Sequence, residues 1–173
     1  MNFTKQKSIA ILERTPVVLN MLLKNLSAEF TFCKEGDDTW NVFDIIGHLI
    51  HGEKTDWMVR AEIILSEKKD KRFEPFDRFA QINDNKEKSL DQLLDEFILL
   101  RKQNIEQLRS KNLNSQNLEE KGIHPVFGEI TLSQLLATWV VHDLNHIAQI
   151  SSVMAKHYKE EVGPWKTYLK ILQ

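Results

Sequence analysis

From Thr131 to Tyr158 the chain reads TLSQLLATWVVHDLNHIAQISSVMAKHY, and the rest of the fold can be read outward from this stretch. Leu132, Leu135, Trp139, Ile150 and Val153 recur at three- and four-residue steps, which is the period of a helix with one buried face. Thr131 supplies a hydroxyl to cap the first turn. At about 100° per residue His142 and His146 fall on the same apolar stripe, about 6 Å apart along the axis, so both rings point into whatever the helix packs against.

Upstream, Ser89 caps a second long helix expected to run to about Ser110, with Leu90, Leu93, Leu94, Phe97, Leu100, Ile105 and Leu108 facing the core. A third helix is expected from Trp40 to about Ser66, opened by a cap among Asp37, Asp38 and Thr39. The first runs from about residue 3 to 13, breaks at Thr15-Pro16 with the Thr15 hydroxyl as cap, and resumes from Val17 to about Leu26. Residues 67–88 read as a crossover in which Phe73, Phe76 and Phe79 suggest a short helical turn packing inward. Residues 111–130 read as another connection, and Gly163-Pro164 stops the last helix before a turn from Trp165 to Leu172. Only 6 Gly and 4 Pro punctuate the chain, and no segment shows strand alternation. The expectation is an all-α single domain over residues 1–173, a four-helix bundle with long crossover connections.

Composition narrows the function. With 42% apolar and 28% charged residues among 173, a core forms without staples, and any metal is functional rather than structural. Lys and Arg number 23 against 25 Asp and Glu, a net charge of −2 that gives neither nucleic acid nor an anionic membrane a reason to bind. The lone Cys33 excludes an internal disulfide, and with no apolar span or leader the protein is expected in the cytoplasm.

The histidines carry the chemistry. His142 and His146 can share an ion or can be core residues bonded to carbonyls. A third ligand must come from another helix, where His48 and His51 are both candidates. The helical wheel puts Phe43, Ile46, Ile50, Trp57, Ala61 and Ile64 on one stripe and His48 on a second, with Ile45, Gly52, Val59 and Ile63, and leaves the choice open. His51 reads more simply as an exposed residue. The second stripe implies that the helix is surrounded or buries that side in a homodimer. Three imidazoles suit nickel, zinc or copper and leave positions for water or substrate. Asp143 is a candidate to orient a ring or take a proton, or else a solvated or cap-like residue; Glu53, on the apolar side of its helix, is either a buried carboxylate in the pocket or, more simply, a surface ion pair. His124, His157 and Cys33 are read as outside the site.

Thr39-Trp40 followed by His48-Leu49, the His142-x-x-x-His146 pair, the Thr15-Pro16 break, the run Pro125 to Gly128 and the late Gly163-Pro164-Trp165 together resemble the DinB-like superfamily over nearly the whole chain. The resemblance implies an up-down-down-up bundle, commonly dimeric. It also implies a divalent metal, often nickel or zinc, on His48, His142 and His146. The family includes metal-dependent hydrolases, thiol S-transferases that use bacillithiol or mycothiol, and a maleylpyruvate isomerase. Its implied function is therefore a hydrolase or thiol transferase acting on a small molecule, the alternatives being a non-catalytic metal-dependent binding or stress-response module and a structural dimer.

Overall fold

The structure, a computed structural model, describes residues 4–34, 36, 39–80 and 85–173. Four helical rods form the bundle. The first is broken into α1 (Lys5–Leu12) and α2 (Arg14–Leu23), and the short α3 (Ala28–Phe32) follows. The second comprises α4 (Val42–Thr55) and α5 (Trp57–Leu65). The third and fourth are α6 (Leu90–Ser110) and α8 (Leu132–Lys156). Between them lie α7 (Ser115–Glu119) and a hairpin of β1 (Lys121–His124) and β2 (Gly128–Thr131).

Ser89 and Thr131 open α6 and α8 as expected, each in a capping box closed by Gln92 or Gln134. Elsewhere the chain departs from its pattern. Thr15 is not a cap: α2 has already begun at Arg14, and the Thr15 hydroxyl is buried without a partner. Asp37 and Asp38 lie outside the described residues, while Thr39 bonds back to Gly36. The cap of α4 is Asn41, in a box with Asp44. The expected single helix from Trp40 is interrupted at Asp56, whose backbone (φ −115°, ψ −78°) separates α4 from α5.

The expectation of an all-α chain misses one element. Lys121 pairs with Thr131 and His124 with Gly128 across an antiparallel hairpin whose turn places Gly128 at φ 73°, where a Cβ is disfavoured. The hairpin also holds the crossover, because Ile123 exchanges backbone hydrogen bonds with Lys71 and Phe73 at 2.9 Å each. A Cβ at Gly122 would overlap the Phe73 ring and Ile64, so glycine is what lets the ring pack against the hairpin. Phe73, Phe76 and Phe79 do not form an inward helical turn. Phe73 is buried, Phe76 lies against the histidines, and Phe79 is exposed.

Two apolar clusters fill the bundle. One gathers Ile9, Leu12, Met58, Ile64, Ile105 and Trp139; the other Leu19, Ile46, Leu49, Leu93, Phe97 and Ile150. Helix α4 is covered on both of its stripes, since Ile45 and Gly52 are buried along with Ile46 and Ile50. No helix among the described residues is long and apolar enough to cross a membrane.

Candidate metal centre

The fold brings His48 of α4 against His142 and His146 of α8. Nε2 of His142 lies 3.1 Å from Nε2 of His48 and 3.1 Å from Nε2 of His146. One ligand atom from each ring lies within 4.8 Å of the others. Ligand nitrogens about 2.0–2.1 Å from a shared ion at 90–110° stand about 3.0–3.4 Å apart, so the two separations from His142 match those of rings sharing one transition metal. The donor chemistry fits as well. Nδ1–H of His146 donates to Gln149 Oε1 at 2.8 Å, which leaves the Nε2 lone pair facing the other rings. Nδ1 of His48 and of His142 are buried without partners.

The rings are held neutral, the form a metal needs. Burial, followed by repulsion from His146, His51 and Arg78, pushes His48 down to about 3. Burial, with His146, His48 and Arg101, pushes His142 down to about 3. His146 is lowered by burial against the opposing pull of Gln149 and Asp143. His51 stays out of the cluster and lies on Phe76, ring centres 4.9 Å apart.

Aromatic rings wall the cluster. Trp40 lies 4.8 Å from His48 and Trp57 5.0 Å edge-on to His142, with Phe76 5.4 Å from His48. They border a cavity of about 620 Å³ that also reaches Asp56, Arg60 and Val126. Room for Trp57 comes from Gly52, where a Cβ would lie 3.1 Å from the indole nitrogen.

Behind the rings lies a buried ion cluster, and here two expectations are corrected. Glu53 is not a surface ion pair: its side chain is fully buried, 2.8 Å from Arg101. Asp143 does not attend a histidine ring or a cleft proton, because both of its oxygens bind the Arg101 guanidinium, at 2.6 and 3.1 Å. Asn104 and the Trp139 indole N–H donate to Glu53 at 2.9 and 3.1 Å. Trp139 in turn stacks on Trp57 at 5.7 Å, so the ion cluster buttresses the ring that touches His142. Arg101 escaped the sequence reading, although it stands four residues after Phe97 and four before Ile105, on the apolar stripe of its helix.

Asp56 also escaped it. The residue is 8% exposed, lines the cavity, and lies 2.5 Å from Arg60 without hydrogen-bond alignment. Burial outweighs Arg60 and pushes its carboxyl up to about 6. A carboxylate interrupting an apolar helix was the available signal. His124 lines the same cavity, but its Nδ1 accepts the turn N–H groups of Val126 and Phe127. Cys33 Sγ lies at the Phe30 and Val153 carbonyls rather than in the described lining of the cavity, and burial raises its thiol, against a nucleophile's need. His157 packs on Phe30 at 4.9 Å.

Fold and site together define a four-helix-bundle protein with three convergent imidazoles at the floor of an aromatic cleft. The model of the DinB superfamily matches residues 11–150, and the chain belongs to that family. Among solved structures it is similar to YfiT from Bacillus subtilis, with 21% identity over 90% of each chain and a TM-score of 0.75. That protein is described as a probable metal-dependent hydrolase with an unusual four-helix bundle topology. At this identity the likeness establishes the fold. No curated protein matches the sequence.

Proposed function

We propose that this protein is a metal-dependent hydrolase of a small organic substrate, with His48, His142 and His146 holding one nickel or zinc ion. The observation that carries the reading is the convergence of three neutral imidazoles on a cleft that opens outward. A three-ligand set leaves positions for reactants, whereas closed four-ligand sets are structural. The non-catalytic alternative would suit a sealed site better. When bound, a divalent ion brings the ionisation of water or of a thiol into the neutral range.

The chain's own groups do the rest. His48, His142 and His146 present Nε2 and stay neutral. Trp40, Trp57 and Phe76 shield the reacting atoms from bulk water, which strengthens each charge interaction inside. Asp56, in the same cavity and held by Arg60, accepts the proton released from the attacking group. Thiol S-transfer with a bacillithiol-type cosubstrate is the second reading. It is favoured by an adjoining cavity of about 700 Å³, room for a second reactant, and by the absence of Cys33, whose thiol is raised by burial, from the described lining of both cavities.

The test combines metal analysis with turnover. Untreated protein is expected to contain about one nickel or zinc per chain. Hydrolysis of an activated ester is expected to vanish on chelation and return with the metal. His48→Ala is expected to lose both metal and turnover while keeping its helical circular dichroism. Turnover that survives removal of the metal would overturn the proposal, as would an apo protein that binds nickel and zinc no better than the His142→Ala, His146→Ala variant.

A further inference from the structure

We infer that the cleft selects an anionic substrate, an apolar body bearing a carboxylate or phosphate monoester, and that Arg78 is the residue that recognises the charge. The inference rests on the reading of the cleft as a substrate site.

Two cavities meet at the histidines. The one of about 620 Å³ is walled by Trp40, Trp57, Phe76 and Val126. The other, of about 700 Å³, is lined by Thr39, Asn145 and Gln149 among its polar groups. Trp40, Arg78, Asn145 and His146 border both, so the two adjoin as one groove whose first part is richer in aromatic walls and whose second part carries more neutral hydrogen-bonding side chains. A molecule lying along it would present its middle to the imidazoles and its ends to different chemistry.

Charge decides what the polar end can be. Among the described residues, Arg78 is the only charged one bordering the second cavity, and Arg60 and Asp56, the other charged ones bordering the first, are 2.5 Å apart and offset each other. Arg78 makes no ion pair with any described residue, while most of the chain's other arginines are tied to carboxylates, as Arg72 is to Asp70, Arg101 to Glu53 and Asp143, and Arg109 to Glu13. The described lining of the groove therefore carries a net positive charge on a chain whose total is −2. A guanidinium offers paired N–H donors matching two oxygens of a carboxylate or phosphate. A neutral substrate would leave it unused, and a cationic one would be repelled. Asn145, on both cavities, adds an amide donor beside it.

The experiment uses chelated protein, so that the ion does not itself bind the probe. Phenyl phosphate, benzoate and phenol share a ring and differ in charge, and tryptophan fluorescence reports their entry beside Trp40 and Trp57. Both anions, or one of them, are expected to bind at least tenfold more tightly than phenol, and whichever anion is preferred assigns the headgroup. Arg78→Ala is expected to abolish the preference while leaving phenol binding and the helical spectrum unchanged, and Arg78→Lys to retain part of it. Raising the salt from about 0.05 to 0.5 M should weaken anion binding alone. Equal affinity for phenol and both anions in the wild type overturns the inference, as does a preference that persists in Arg78→Ala. Because no metal is present, failure of the metal reading leaves these outcomes unmoved and appears instead in the nickel and zinc titration.

Discussion

Replacing Arg101 by Met tests whether the buried ion cluster holds the bundle together. The guanidinium is 2% exposed and binds two fully buried carboxylates, as well as the Leu12 carbonyl at 2.8 Å. It also lies over the rings of Phe97 and Trp139, at 4.9 and 5.1 Å. Met fills much of the stem's volume but returns none of the donors. Glu53 keeps Asn104 and Trp139, whereas Asp143 loses both of its bonds to Arg101. Leaving a buried charge without its partner costs about 3–5 kcal/mol, against a total stability of about 5–15 kcal/mol for a domain. At this chain length each kcal/mol moves the melting temperature by about 2–4 °C, so a fall of roughly 6–20 °C is expected. The deficit should shrink on acidification, because an unpaired carboxylate in an apolar site binds a proton readily. Thermal melts of wild type, Arg101→Met, and Arg101→Met combined with Glu53→Gln and Asp143→Asn measure this. The combined variant should recover most of the loss. A change below about 1 kcal/mol in Arg101→Met would refute the reasoning.

Other consequences can be measured directly. His48 and His142 have folded-state values near 3 against an ordinary value near 6.5. The unfolded chain therefore binds protons that the fold rejects, and the stability of chelated protein should fall as pH drops from 6.5 toward 3; denaturation curves for a His48→Gln, His142→Gln variant should show a shallower slope. Asp56, paired with Arg60 in a cavity that Arg78, His124 and the three cluster histidines also line, should make kcat/KM rise with pH through about 6. Asp56→Asn should flatten that rise and lower the rate about 10²–10⁴-fold, and an unchanged pH profile would remove Asp56 from the proton path. Gly122→Ala should cost about 1–3 kcal/mol through its overlap with Phe73, read from chemical denaturation. A homodimer is expected from the exposed apolar residues Val59, Val141 and Leu144, and light scattering at micromolar concentration checks it.

The long helices were legible because their pattern and their caps agree: Ser89 and Thr131 each stand just before an apolar stripe at helical spacing. The break at Asp56 was not, since Ile50, Trp57, Ala61 and Ile64 keep helical phase across it and only the backbone changes. The hairpin was hidden because its four-residue strands carry two glycines and too few apolar residues to alternate. His142 and His146 could be placed from the wheel, but the choice of His48 over His51 could not. Both stripes of α4 are buried, and no period separates a face turned to a cleft from one turned to a core. Glu53 was misread and Arg101 passed over for a related reason. Each lies on an apolar stripe, and only their meeting across helices makes a buried charge tolerable, which a reading of one helix at a time does not reveal.

The hairpin and the crossover have a consequence for how such a protein can be re-engineered. Pro125 and Val126, at the hairpin's turn, and Phe76 and Arg78, on the crossover, form one side of the cleft, while the three imidazoles stand on α4 and α8. The two connections are fastened to each other through Ile123 and Gly122. Residues 67–80 and 121–131 thus make a cassette: exchanged together they would alter what the cleft admits, and exchanged singly they would lose their common seam. Selectivity in this architecture can diversify by transplanting paired connections, with the histidines left untouched.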